Sequence, residues 1–233
     1  MSKDLTVVQT GWLEKWEKAE IPWHKPEVDN NIQRHLEELT QGQPSASILV
    51  TWCGKSADMP WLCSQGYNVV GIELSAVAVR QFFEENKIPY STSVTTQANG
   101  EEFVVYQAHD RKLTIFLGDY YKLTPDLAGT FEAIWDNNAF GSSPPADRLQ
   151  YISVLASLLK SNGRVLLANW EYGELIRHTY PYSLSSSLVK EFFQEKFEIK
   201  YLGKCEIFTD YFIKKFNVEF AYRNIHLLSK KSI

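Results

Sequence analysis

The chain has 233 residues, 44% hydrophobic and 22% charged, with a formal net charge of −4. This composition fits one α/β domain with a full core and excludes a disordered chain. The acidic balance argues against a nucleic-acid partner, and no run approaches the roughly 20 apolar residues of a membrane span. The three cysteines, Cys53, Cys63 and Cys205, form neither a disulfide framework nor a zinc pattern, so no metal is expected. Residues 1–5 lack the apolar core of a secretory signal, and a cytoplasmic monomer with reduced thiols is expected.

Residues 9–18 read as a short helix with Trp12 and Trp16 one turn apart on one face. The run Pro22-Trp23-His24-Lys25-Pro26 breaks it. A second helix spans 31–41, with Ile32, His35, Leu36 and Leu39 at helical spacing. Three of the seven tryptophans fall in the first 23 residues. Residues 1–45 are therefore read as an aromatic N-terminal lid on a single domain.

The stretch 48–75 carries the most information. A strand over 48–52 runs into Thr51-Trp52-Cys53-Gly54-Lys55, a helix follows at about 57–65, and a strand over 68–73 ends on Glu73. Strand, glycine turn, helix, strand, acid is the order of a nucleoside-binding βαβ unit. Gly54 lets backbone approach a ligand without a Cβ between them. Glu73 can accept hydrogen bonds from both hydroxyls of a ribose. A helix over 76–87 follows, with Ser75 as its N-cap.

Residues 91–118 read as a hairpin insertion that turns at Asn99-Gly100 and leads back to a core strand. Its strands are expected at 103–108 and 113–117. Another parallel strand, Phe131–Trp135, ends in Asp136-Asn137-Asn138. After a Ser-Ser-Pro-Pro loop, a helix carries Leu149, Ile152, Ala156 and Leu159 on one face, closed by Asn162-Gly163. A strand at 164–169, a helix at 187–195 and two strands at 198–208 and 218–228 complete the chain. The last two are expected to form an antiparallel pair. This order matches the seven-stranded, doubly wound fold of S-adenosylmethionine-dependent methyltransferases. It fits a dinucleotide dehydrogenase less well, because Gly54 stands alone where that fold carries a G-x-G-x-x-G run.

The elements Gly11-Trp12 to Trp16, Trp23-His24, Trp52-Cys53-Gly54-Lys55, Val70 to Ser75, Ile134-Trp135-Asp136 and Asp147-Arg148 resemble the thiopurine S-methyltransferase family. The likeness runs in order from about residue 12 to 230. It implies a small-molecule S-methyltransferase that uses S-adenosyl-L-methionine and releases S-adenosyl-L-homocysteine. By this resemblance Trp12, Trp16 and Trp23 close over the cofactor, and Trp52 contacts its methionine part. Glu73 matches the ribose acid, and Asp119 and Tyr120 match the pair beside the adenine. Asn137 stands where mammalian members carry an arginine near the substrate. Asparagine offers neither a fixed charge nor a bidentate fork, so the acceptor contact must differ.

Several of the remaining candidates carry more than one reading. Asp136, at the strand's carboxyl edge, holds the cofactor's amino-acid end, orients the acceptor, or caps the loop after it. His24 is a candidate base for an acceptor thiol, or a structural histidine. Asp119 receives the adenine amino group or forms a turn. Arg148 and Tyr182 are placed with the acceptor, Arg148 to meet an anionic group or to join a loop ion pair. The loop 141–145 and Tyr180-Pro181-Tyr182 flank the acceptor. Cys53 fits as a small residue in a tight turn. Two rival functions remain: methylation of halide, thiocyanate or selenium species with the same cofactor, and a non-catalytic nucleoside- or partner-binding module.

Overall fold

The computed structural model describes residues 6–173, 181–206, 218 and 220–231. Tyr180 and the expected strand end at 207–208 lie outside the described residues. The chain opens with α1 (Val7–Glu17) and α2 (Asn30–Thr40). Thr6 and Gln9 close a capping box at the start of α1, and Asp29 caps α2 through its bond from the Asn31 N–H, 2.8 Å. The helix α1 rests on a later helix, whereas α2 packs on the sheet with Ile32 and Leu39 buried. The expected lid over 1–45 is thus not one unit: α2 belongs to the core, and α1 with the loop after it packs apart from it.

Then follow β1 (Ser47–Val50), α3 (Asp58–Ser64), β2 (Asn68–Glu73) and α4 (Ala76–Glu85). Pro60 falls in the first turn of α3, where its missing N–H is tolerated, and Ser75 caps α4 by accepting from the Ala78 N–H at 3.3 Å. The hairpin is β3 (Tyr90–Thr96) with β4 (Glu102–Ala108), turning at Asn99-Gly100, where Gly100 takes φ +84°. The remaining elements are β5 (Leu113–Leu117), α5 (Pro125–Ala128), β6 (Phe131–Asn137), α6 (Ala139–Ser142), α7 (Arg148–Leu158), β7 (Leu159–Tyr172), α8 (Ser186–Phe193), β8 (Phe197–Glu206) and β9 (Ala221–Lys230).

Among the described residues one sheet of nine strands runs in the order β3-β4-β5-β2-β1-β6-β7-β9-β8. The five strands from β5 to β7 are mutually parallel, and β9 and β8 close one side in antiparallel fashion. These make the expected seven strands. The two additional ones are the β3–β4 hairpin, which continues the sheet beyond β5 instead of standing off it. The central strands bury both faces, which is why they read as unbroken apolar runs. Ile48 and Val50 face the α2–α3–α4 layer, and Leu49 faces the α7–α8 layer.

One turn signal is absorbed differently from its sequence reading. Helix α7 ends at Leu158, and Asn162-Gly163 lies within the 14-residue β7. Phe131 pairs with Leu159 while Ala133 pairs with Arg164, so the intervening residues form a bulge. Gly163 is needed there, because a Cβ would come within 2.6 Å of the Leu159 side chain and 3.1 Å of the Glu132 carbonyl.

Candidate active site

The carboxyl ends of β1, β2 and β5 lie side by side, and their loops are knitted by backbone bonds. The Cys53 N–H donates to Ile72 at 3.0 Å, and the Gly118 N–H to Glu73 at 2.9 Å. The turn after β1 takes two left-handed residues within three positions, Trp52 at φ +43° and Gly54 at φ +50°. Such a conformation is disfavoured for a tryptophan, and the neighbours hold it. The Gly54 N–H donates to Glu73 Oε2 at 2.9 Å, while Oε1 accepts from Leu74 and Ser75 at 2.8 and 2.7 Å. Glu73 therefore fastens the end of β2 to the glycine turn of β1. Its side chain is 7% exposed. Burial pushes its carboxyl up, and the three backbone bonds pull it back.

Trp16 packs directly on this turn. A Cβ on Gly54 would come within 3.0 Å of its indole ring. Gly54→Ala is expected to lose about 1–2 kcal/mol of stability from the left-handed backbone alone, and more from displaced Trp16. Urea unfolding followed by tryptophan emission checks this. Trp23 stands edge-on to both other indoles of the leader, 5.0 Å from Trp12 and 6.2 Å from Trp16. The three tryptophans form one cluster above Gly54, with Trp16 buried and Trp23 38% exposed. They dock the leader and roof the turn at once.

Cys53 turns the other way. Its sulfur packs over Gly71, where a Cβ would come within 2.7 Å of Sγ. Burial first, then the charge of Glu73, pushes this thiol well above its usual range.

Trp52 projects into a second aromatic group, edge-on to Tyr120, Tyr121 and Tyr151. Tyr120 is buried and stacks on Tyr151 with centroids 4.6 Å apart. Asp119 is half-buried at the end of β5, and one of its oxygens caps the next turn by accepting from the Tyr121 N–H at 3.0 Å. Tyr121 in turn shares a 2.8 Å hydrogen bond with Ser143 in the loop before α7.

The candidates at the end of β6 separate to opposite faces of the sheet. Asp136 is fully buried on the α7 side. Its Oδ1 accepts from the Ala139 and Phe140 N–H groups at 2.8 and 3.2 Å, and Oδ2 accepts from the Tyr151 hydroxyl at 2.7 Å. Of the readings open for Asp136, the geometry gives the capping one, since no face of the carboxylate reaches solvent. His24 lies beside the Lys55–Glu85 ion pair. Burial first, and then the Lys55 charge, lowers its pKa, which favours the neutral ring. The structure thus leaves the two catalytic candidates in different surroundings.

Arg148 and Tyr182 are brought together. The Arg148 guanidinium lies over the rings of Phe140, Tyr182 and Phe192, at 5.7, 5.4 and 5.3 Å. Burial pushes its pKa down, and no carboxylate pairs with it among the described residues.

Sequence reasoning named Asn137 at this edge but missed its partners. Asn137 is exposed, and its side-chain Oδ1 accepts from the Arg223 guanidinium of β9, which also pairs with Asp29. Asp58 lies beneath them. Its Oδ1 accepts from the Asp29 N–H at 2.8 Å and its Oδ2 from the Trp135 indole at 2.7 Å. Only the acid in the first turn of α3 left a local signal. Arg223 is 86 residues from Asn137 and left none. No cluster of metal-ligating side chains occurs among the described residues, and no helix among them is long and apolar enough to cross a membrane.

Comparison with known proteins places this geometry. The family profile for thiopurine S-methyltransferase matches residues 7–231. The thiopurine S-methyltransferase of Oryctolagus cuniculus is 26% identical over 231 residues, covering 99% of this chain and 93% of that protein. A probable thiopurine S-methyltransferase of Danio rerio is 28% identical over 221 residues, covering 95% and 94%. Among solved structures, the Burkholderia thailandensis 1,6-didemethyltoxoflavin-N1-methyltransferase, with bound S-adenosylhomocysteine, superposes with a TM-score of 0.65. It is 12% identical and covers 100% of this chain and 94% of that one. The Synechocystis magnesium protoporphyrin IX methyltransferase, with bound S-adenosylmethionine, gives 0.60 at 14% identity, covering 99% and 100%. With the strand order, the glycine turn and the acid that ends β2 on one edge, the chain carries the fold of S-adenosylmethionine-dependent methyltransferases and belongs to the thiopurine S-methyltransferase family.

Proposed function

We propose that this protein transfers a methyl group from S-adenosyl-L-methionine to a thiol, or a similarly soft nucleophile, on a small molecule. The observation that carries the reading is the alignment of the Gly54 turn, Glu73 and Asp119 at three adjoining strand ends, with Trp16 of the leader packed on the Gly54 turn. S-adenosylmethionine supplies an already activated methyl on a sulfonium. The protein's task is therefore orientation, which is worth roughly 7–11 kcal/mol in favourable cases. Gly54 and Trp52 shape the turn, and the missing Cβ of Gly54 admits the Trp16 indole rather than the ligand the sequence suggested. Glu73 holds that turn and presents its remaining acceptor capacity to ribose hydroxyls. Asp119 offers its second oxygen to the adenine side. The indole faces favour a cation by about 0.5–2 kcal/mol per well-placed ring.

The thiol preference rests on what the site does not need. Asp136 is committed to three donors, and His24 lies by the Lys55–Glu85 pair. An alcohol or amine acceptor would call for a base to take its proton, whereas a thiol is a few per cent thiolate at pH 7 unaided. The family's name points the same way.

Calorimetry tests the cofactor half. S-adenosylhomocysteine is expected to bind in the micromolar range or tighter, and Glu73→Ala to weaken it by about 1.5–3 kcal/mol. No detectable heat with the native protein would remove the proposal. A panel of thiols, halides and selenide with labelled cofactor tests the acceptor half, and a preference for halide over thiol would overturn it.

A further inference from the structure

Arg223 occupies an unusual position. It pairs with Trp170 across β7–β9, while Asn137, the last residue of β6, pairs with Ala168. The arginine therefore overhangs the end of β6 by two residues, at the edge where open α/β sheets take their ligands. Its side chain is 14% exposed.

A guanidinium carries five N–H donors. Here one nitrogen serves Asp29, a second serves Asn137, and the buried Nε–H has no hydrogen-bond partner. Asp29 cannot turn to meet it. The other oxygen of Asp29 caps α2 through Asn31, and its backbone N–H is fixed by Asp58 at 2.8 Å. The charge is thus held firmly by two neighbours and left incompletely satisfied. The Nε–H is itself closed to solvent, so a ligand meets this charge through the exposed part of the side chain, and the planar fork fits a carboxylate best.

We propose that Arg223 is an acceptor-binding residue that selects small-molecule thiols bearing a second, anionic group such as a carboxylate. Asn137 aims the guanidinium, and Asp29 keeps it in place while the site is empty. This inference rests on the methyl-transfer reading above and names the acceptor class for the same site.

The test compares 4-mercaptobenzoate with 4-methylthiophenol, two thiols of similar shape that differ in charge. The native enzyme is expected to favour the carboxylate in kcat/KM. In Arg223→Met the ratio of the two kcat/KM values falls by about tenfold or more, the size of one charge-assisted hydrogen bond. Asn137→Ala, at an exposed position, moves the ratio the same way by a smaller factor, and serves if the arginine variant does not fold. A ratio unchanged in both variants overturns the assignment. A native protein that methylates neither thiol counts against the thiol half of the methyl-transfer reading instead. Calorimetry with 4-(methylthio)benzoate, in the presence of S-adenosylhomocysteine, then still decides on Arg223: weaker binding to Arg223→Met supports it, and equal binding overturns it.

Discussion

Replacing Asp136 with alanine is expected to cost at least about 3 kcal/mol of folding stability, because two backbone N–H groups and the Tyr151 hydroxyl lose their acceptor in a site without water access. For a chain of this size that is a melting-point drop of roughly 6–12 °C. Asp136→Asn keeps an oxygen for the Ala139 and Phe140 N–H groups and is expected to lose less than half as much. The asparagine variant also reports on charge. Burial pushes the Asp136 carboxyl up to about 6 from an ordinary 3.8, against the hydrogen bonds from Tyr151, Phe140 and Ala139. A raised carboxyl holds its proton more tightly folded than unfolded. Its contribution is therefore most favourable at low pH and is lost as pH rises between 3.8 and about 6. Denaturant unfolding of both proteins across that range should show native stability falling relative to Asp136→Asn by on the order of 3 kcal/mol. Parallel curves would show that Asp136 does not titrate there.

The second large effect belongs to Trp16. Truncating a buried indole to alanine removes about 3–5 kcal/mol of packing in an ordinary core. Here α1 is joined to the body chiefly through α4 and through this ring on the Gly54 turn. Trp16→Ala is accordingly expected to release the leader locally while the sheet stays folded. Amide exchange along residues 7–17 should accelerate many-fold, with the protection of β1 and β6 retained. Because the three indoles share one cluster, all three go with it, and S-adenosylmethionine affinity should fall by about 10-fold or more as its sulfonium loses those rings. Unchanged affinity with a released leader would assign the tryptophans to docking alone.

Much of this architecture was legible because local chemistry and global fold agree. Ile48–Val50 and Val69–Ile72 are apolar without alternation, as strands buried on both faces must be. Ser75 caps the helix it precedes, and Asn99-Gly100 turns the hairpin it was expected to turn. The same dipeptide type misleads at Asn162-Gly163, where it sits in a bulge of β7, since a turn residue also serves wherever neighbouring backbone must come close. The site divides in the same way. Gly54 and Glu73 belong to one βαβ unit, so nineteen residues suffice to relate them. The duty of Asp136 was ambiguous because it depends on Tyr151, one helix further on. Arg223 was invisible because its partners, Asp29 and Asn137, come from segments that only the sheet order brings together.

An enzyme that alkylates sulfur, as proposed above, faces a hazard in its own cysteines, and Cys53 lies within the turn to which the methyl donor is assigned. Packed face down on Gly71 and kept protonated by burial and the neighbouring acid, that sulfur is a poor nucleophile. The glycine at 71 thus gives the thiol a place to hide. On the proposed chemistry the catalyst is spared from becoming its own substrate.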